Sequence, residues 1–235
     1  RLHRKMVLGT LHPHEFYGLD FSYKQIDEIL EILFLSNKNN IFNIEKNLKE
    51  DFGSFIKFYK KIFIVEEMGK NNLNNISSSF FKKGYDKKLD NTIESIKESK
   101  DFLENISIQL SNDIEKGSSY IKVEHTDKDG YYLQCTKKRC DILKKKNKDF
   151  EKNYNIKSFT SYVKIRSIDI DKYSNMIITN HEKLKHIVKS LYLQTINKMY
   201  NQYGKLLCII NNIITDIDVI HSHCLCAKKY NYVKP

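Results

Sequence analysis

Four side chains that could ligate a metal fall within six residues, His221-Ser222-His223-Cys224-Leu225-Cys226. Imidazole and thiolate are zinc's preferred ligands, and four of them in a tetrahedron make a structural site. The spacing works against that. On a helix of 3.6 residues per turn, His221 and Cys224 share one side while His223 and Cys226 share another, so the four cannot converge on one ion. Cys135 and Cys140 have no second pair to complete a site. His12-Pro13-His14 reads as the start of a helix or loop. Glu66-Glu67, and Asp169 with Asp171, are acidic pairs without a neighbouring nucleophile or base. No catalytic residue and no metal ion is expected.

The chemistry that the chain does concentrate is positive charge. Its formal net charge is +11, with 40 Lys and Arg against 29 Asp and Glu. Residues 117–172 carry 14 basic and 8 acidic side chains, and within them residues 136–166 carry 11 and 3. A local excess of this kind selects a polyanion. The candidate contacts are Lys137, Lys138, Arg139, Lys144, Lys145, Lys146, Lys164 and Arg166. Such lysines neutralise phosphates and release counterions, which gives salt-dependent binding with little choice of sequence. The plainer reading is a solvated lysine-rich face, since Asn, Lys and Ile are abundant throughout.

The elements that must carry these lysines begin with a hairpin. Residues 117–139 hold two alternating runs around Thr126-Asp127-Lys128-Asp129-Gly130. Tyr120, Lys122 and Glu124 take one face of the first run; Ile121, Val123 and His125 take the other. Gly130 supplies the positive φ that such a turn needs. The basic cluster 137–139 follows the second strand. A lysine- and asparagine-rich loop is expected over 141–157, and β-like residues return from Phe159 to Ile170.

Around this insert the chain reads as helical. Proline occurs only at positions 13 and 235, so no ring interrupts a helix between them. Several shorter helices fill residues 1–84. One has the apolar face Tyr23, Ile26, Ile29, Leu30, Leu33 and Phe34 and ends at residues 36–40; a second runs from Asn43 to Asp51 and ends near Gly53. Phe52, Phe55, Phe58 and Tyr59 look like core. Leu89, Ile93, Ile96, Leu103, Leu110 and Ile114 form a heptad seam ending at Gly117. A second long seam runs from Thr179 through Leu184, Ile187, Leu191, Met199, Tyr203, Leu206, Ile210, Ile213, Ile217 and Ile220. The fold class is mainly α: two long antiparallel helices that carry a small β-rich insert at their far end.

No run approaches the ~20 apolar residues of a membrane span, and no membrane partner is expected. The first ten residues lack the apolar core and cleavage site of a signal peptide. Five cysteines, an odd number, fit a reducing compartment. The absence of an initiator Met is what a piece of a longer protein would show.

The order of these features resembles the middle part of the MutS family of DNA mismatch-recognition ATPases. FFKKGYDKKLD at 80–90 is similar to the family's Gly-Tyr-Asp-x-x-Leu-Asp segment, and GYYLQCTK at 130–137 to its Gly-Tyr-Tyr strand ending in Thr-Lys. DVIHSHCLCAKKYNYVKP at 218–235 matches an Asp-Val-Ile start and an Asn-Tyr-Val-Lys-Pro end, and RLHRKMVLGTLHPHEF at 1–16 matches the opening of the helical bundle. The matches cover nearly the whole chain in the right order; the 141–170 region departs from the bacterial pattern.

The resemblance implies a helical lever or core domain over 1–116 and 173–235, and a β-containing clamp domain over 117–172 that grips the backbone of double-stranded DNA. The family's Phe-x-Glu mismatch reader lies upstream of this region, and its ATPase domain begins after the proline that Pro235 matches. No Gly-x-x-x-x-Gly-Lys-[Ser/Thr] phosphate loop occurs here. The chain itself is therefore expected to be no enzyme and to hold no cofactor, with ATP and magnesium belonging to the longer protein. That protein would be a homodimer in an intracellular, DNA-containing compartment such as a nucleus, an organelle, a viral factory or the cytoplasm. The alternative from another class is a coiled-coil interaction module whose basic tip meets RNA or an acidic protein.

Overall fold

The computed structural model describes residues 1–36, 44–45 and 47–232. Two compact units emerge, one of residues 1–85 with 188–235 and one of residues 86–187.

The first unit is helical. After the short α1 (Leu2–Val7), α2 (Pro13–Leu35) starts with proline at its first position, where the missing N–H costs no hydrogen bond. Its N-terminus is held by Glu15, which accepts from the His12 backbone N–H at 3.0 Å and pairs with Lys5. It ends at Ser36, whose hydroxyl donates to the Ile32 carbonyl. The expected end over residues 37–40 and the expected helix start at Asn43 lie outside the described residues. The second helix differs from its sequence reading. Gly53 does not end it; α3 (Leu48–Ile62) runs through that glycine because Phe52, Phe55, Ile56 and Tyr59 give it a continuous buried face. A short α4 (Val65–Met68) follows.

The core of this unit is aromatic. Tyr23 meets Phe52 and Phe55 edge-on, and Phe16 meets Tyr59 edge-on at 5.3 Å between ring centres, the geometry that ring quadrupoles favour. Phe58 is half-buried and packs against Tyr203. Within the cluster the Tyr59 hydroxyl donates to the buried Asp20 carboxylate at 2.7 Å, and Lys24 pairs with the other oxygen. A carboxylate can be buried here because both of its oxygens have partners.

The second unit contains α5 (Lys87–Ile114), a four-stranded sheet, α6 (Lys137–Lys146), α7 (Phe150–Asn153) and the first part of α8 (Ile168–Tyr230). The side chain of Asp86 caps α5 by accepting from the Leu89 N–H. Leu89, Ile96, Leu103, Leu110 and Ile114 are buried as the heptad predicts; Ile93 is exposed. Within this unit α5 and α8 run antiparallel, as Asn180 reaches Ser95 and Tyr173 stacks on Phe102.

Strands β1 (Lys122–Thr126), β2 (Gly130–Cys135), β3 (Asn155–Ser158) and β4 (Val163–Arg166) form an antiparallel sheet in the order β1-β2-β4-β3. The hairpin register pairs Lys122 with Gln134 and Thr126 with Gly130, whose φ is +68°. Val163, Ile165, Leu133 and Cys135 make the buried face.

Three sequence expectations change here. The Lys137-Lys138-Arg139 cluster opens α6, and the loop expected over 141–157 is α6, α7 and β3. Leu143 and Phe150 bury against the unit and supply the packing that a Lys/Asn composition conceals. The β region expected to reach Ile170 stops at Arg166, and α8 begins at Ile168, eleven residues before Thr179. The α8 seam is also displaced. Val188, Tyr192, Ile196, Met199, Leu207, Ile210 and Ile213 are buried, whereas Leu191, Tyr203 and Leu206 are half-buried and Ile220 is exposed.

Candidate nucleic-acid interface

The hairpin is fixed to the helices at both ends. At its entry, Ser107 Oγ donates to the Ile121 carbonyl at 2.6 Å and Ser111 Oγ accepts from the Ile121 N–H at 2.9 Å. Two serines one turn apart on α5 thus satisfy both backbone groups of a buried residue that precedes β1. At the turn, the Tyr131 N–H donates to Ser174 Oγ of α8 at 2.8 Å.

On this frame the eight lysines and arginines named from sequence fall into different roles. Lys137 and Lys138 are exposed in the first turn of α6, and Lys145 is exposed near its end. Arg139 lies over the Tyr120 ring, its guanidinium carbon 3.9 Å from the ring centre. Lys144 pairs with Glu151 at 2.7 Å, which raises its pKa. Lys146 donates to the carbonyls of Asp113 and Ile114 at 2.9 and 3.0 Å, closing the C-terminus of α5. A cation there also meets the negative end of the helix dipole. Arg166 pairs with Asp171 at 2.7 Å.

Lys164 is the buried member. It is 6% exposed, donates to Asp129 at 2.5 Å and sits over the Tyr132 ring at 4.0 Å. The hydrogen bond raises the lysine's pKa and lowers that of Asp129. Sequence reasoning passed over two exposed lysines of the same sheet, Lys122 and Lys157. Their signal was the strand alternation, which puts Lys122 on the face opposite Val123.

The His221–Cys226 segment is exposed on α8, and among the described residues no group of three or more His, Cys, Asp or Glu could hold a metal. Cys135 and Cys140 are buried free thiols, and burial pushes Cys135 up to about 12, far from a reactive thiolate. Among the described residues no helix is long and apolar enough to cross a membrane.

Residues 84–182, which contain the hairpin, the sheet and all eight candidate contacts, match the family model described as MutS family domain IV. Over those residues the chain is similar to the MutS family. A protein of Acanthamoeba polyphaga mimivirus named as a mutS homolog is 26% identical over 100% of this chain and 23% of its own length. A mitochondrial DNA mismatch repair protein mutS homolog of Sarcophyton glaucum is 30% identical over 54% of this chain and 13% of its own. DNA mismatch repair protein MutS of Staphylococcus haemolyticus is 20% identical over 100% of the chain and 25% of its own length. The chain thus spans about a quarter or less of these MutS relatives.

Proposed function

We propose that residues 117–172 are a clamp that grips the phosphate backbone of duplex DNA without regard to sequence, within a MutS-type mismatch repair ATPase. The remaining helices would act as the lever that relays nucleotide state to it. The observation that carries this reading is the excess of 11 basic over 3 acidic side chains in residues 136–166, inside the matched domain. Lys137, Lys138 and Lys145 remain exposed there, and an exposed ammonium on a rigid helix can neutralise a phosphate. The longer protein would be a homodimer working where DNA is kept, and ATP and magnesium would bind it outside this chain. The chain itself would turn over no ATP, which a steady-state phosphate-release assay on the purified chain tests.

The decisive experiment is Lys137→Glu with Lys138→Glu and Arg139→Glu. Duplex affinity should fall at low salt, and the log-log salt slope should become shallower by roughly 2–3. An unchanged binding curve in a folded variant removes the clamp from the reading. Equal affinity for RNA hairpins and duplex DNA would favour an RNA-binding tip instead.

A further inference from the structure

The sheet's outward face carries one continuous cross-strand row. Lys122 on β1 pairs with Gln134 on β2, Gln134 with Lys164 on β4, and Lys164 with Lys157 on β3. Three of the four positions are lysine. Strands lie about 4.8 Å apart, so the row spans roughly 14 Å. Its outer lysines are exposed, but the inner one is not: Lys164 is 6% exposed, its ammonium over the Tyr132 and Phe159 rings and bound to Asp129.

That arrangement addresses a physical conflict. Lys157 and Lys164 lie directly opposite, and like charges in that position repel. Asp129, from the hairpin turn, neutralises the inner lysine and ties the turn to β4. The pair keeps the sheet intact while two exposed cations stand at its borders, Lys122 on one side and Lys157, 5.5 Å above the Phe159 ring, on the other. Released from Asp129, the Lys164 stem is long enough to carry its ammonium outward, as lysines do at partly apolar surfaces.

We propose that Lys122 and Lys157 are this face's contacts to the nucleic-acid backbone, and that Lys164 is a positioning residue whose ammonium Asp129 withholds from phosphate. This rests on the clamp reading above and names the contacts within it.

The test is a salt titration of full-chain binding to a labelled homoduplex, with folding checked by circular dichroism. Lys122→Met with Lys157→Met should make the log-log slope shallower by about 1.8, at 0.9 per phosphate. Lys164→Met should raise Kd severalfold and leave the slope unchanged. Asp129→Asn should steepen the slope by about 0.9 as the freed ammonium finds a phosphate, and should not do so when Lys164 is already Met. A part that is merely structural would not produce that gain. A shallower slope in folded Lys164→Met, or no steepening in Asp129→Asn, overturns the assignment of Lys164. A steep slope retained in the Lys122/Lys157 pair overturns the two contacts and leaves the clamp standing. Wild-type binding that ignores salt overturns the clamp reading and this inference together.

Discussion

Tyr131 and Ser174 lie 43 residues apart, and the backbone N–H of the first donates to the Oγ of the second at 2.8 Å. The contact fixes the hairpin turn on α8 and explains the glycine beside it. Gly130 has a φ of +68°, and a Cβ there would stand 2.6 Å from that same Oγ and 3.1 Å from Ile178. Gly130→Ala therefore adds left-handed strain of about 1–2 kcal/mol and displaces the acceptor of the Tyr131 N–H. Ser174→Ala removes the acceptor alone and should cost about 1–3 kcal/mol. Amide exchange at Tyr131 should quicken in both variants, and the thermal midpoint should fall further for Gly130→Ala. Unchanged exchange would mean that the turn is not held on α8.

Acid should loosen the same region in two steps. His181 on α8 has its pKa lowered from 6.5, chiefly by burial and then by the positive charges of Lys100 and Lys185. A histidine whose folded pKa is lowered takes its proton more readily when unfolded. Its contribution is present above pH 6.5 and is lost as pH falls through the lowered value. Asp129 is held below its ordinary value by its hydrogen bond from Lys164, so its contribution disappears only at still lower pH. Proton NMR titration of the His181 ring should give a midpoint below 6.5, and His181→Gln should flatten the first step of the stability curve. A midpoint above 6.5 would reverse the sign.

Lys146 tests whether charge in α6 is all available for binding. Its ammonium closes the last carbonyls of α5. Lys146→Met should lower stability by about 0.3–1 kcal/mol and quicken exchange in the final turn of α5. The DNA salt slope should stay as it was. A slope shallower by about 0.9 would place Lys146 on the phosphates instead.

The hairpin was legible because its signals are local: two alternating runs, and a glycine where the turn needs positive φ. The α5 seam was legible because its heptad is carried by large aliphatic residues with polar neighbours. The 137–153 helices were not, since only Cys140, Leu143 and Phe150 anchor them and those positions sit among lysines. The α8 seam was read one residue off at three places, where Val188, Tyr192 and Leu207, not Ile187, Leu191 and Leu206, enter the core. Adjacent apolar residues leave that choice to tertiary packing. The candidate site was legible as a charge density only. Which lysine is free depends on partners such as Asp129 for Lys164, 35 residues away, and the Ile114 carbonyl for Lys146, 32 away.

The α8 seam yields the last prediction. Ile213 is 6% exposed, Ile217 one turn on is half-buried, and Ile220 is 44% exposed. Burial thus fades along one face of a single helix. A carboxylate at Ile213 would be unpaired in an apolar contact and should cost several kcal/mol. At Ile217 solvent can reach part of the new charge, so the cost should be smaller, and at Ile220 close to zero. Lys229→Asp, on an exposed stretch, is the control. Thermal unfolding of the series Ile213→Asp, Ile217→Asp and Ile220→Asp should then show midpoints rising in that order towards the control. Because most helical stability comes from packing of one face, the loss at Ile213 should spread through the helical unit of residues 1–85 and 188–235. Amides of the hairpin, in the other unit, should keep their protection. If Ile213→Asp and Ile220→Asp unfold together, the helix has no buried face at this point, and the seam that ties α8 to its unit ends earlier than Ile213.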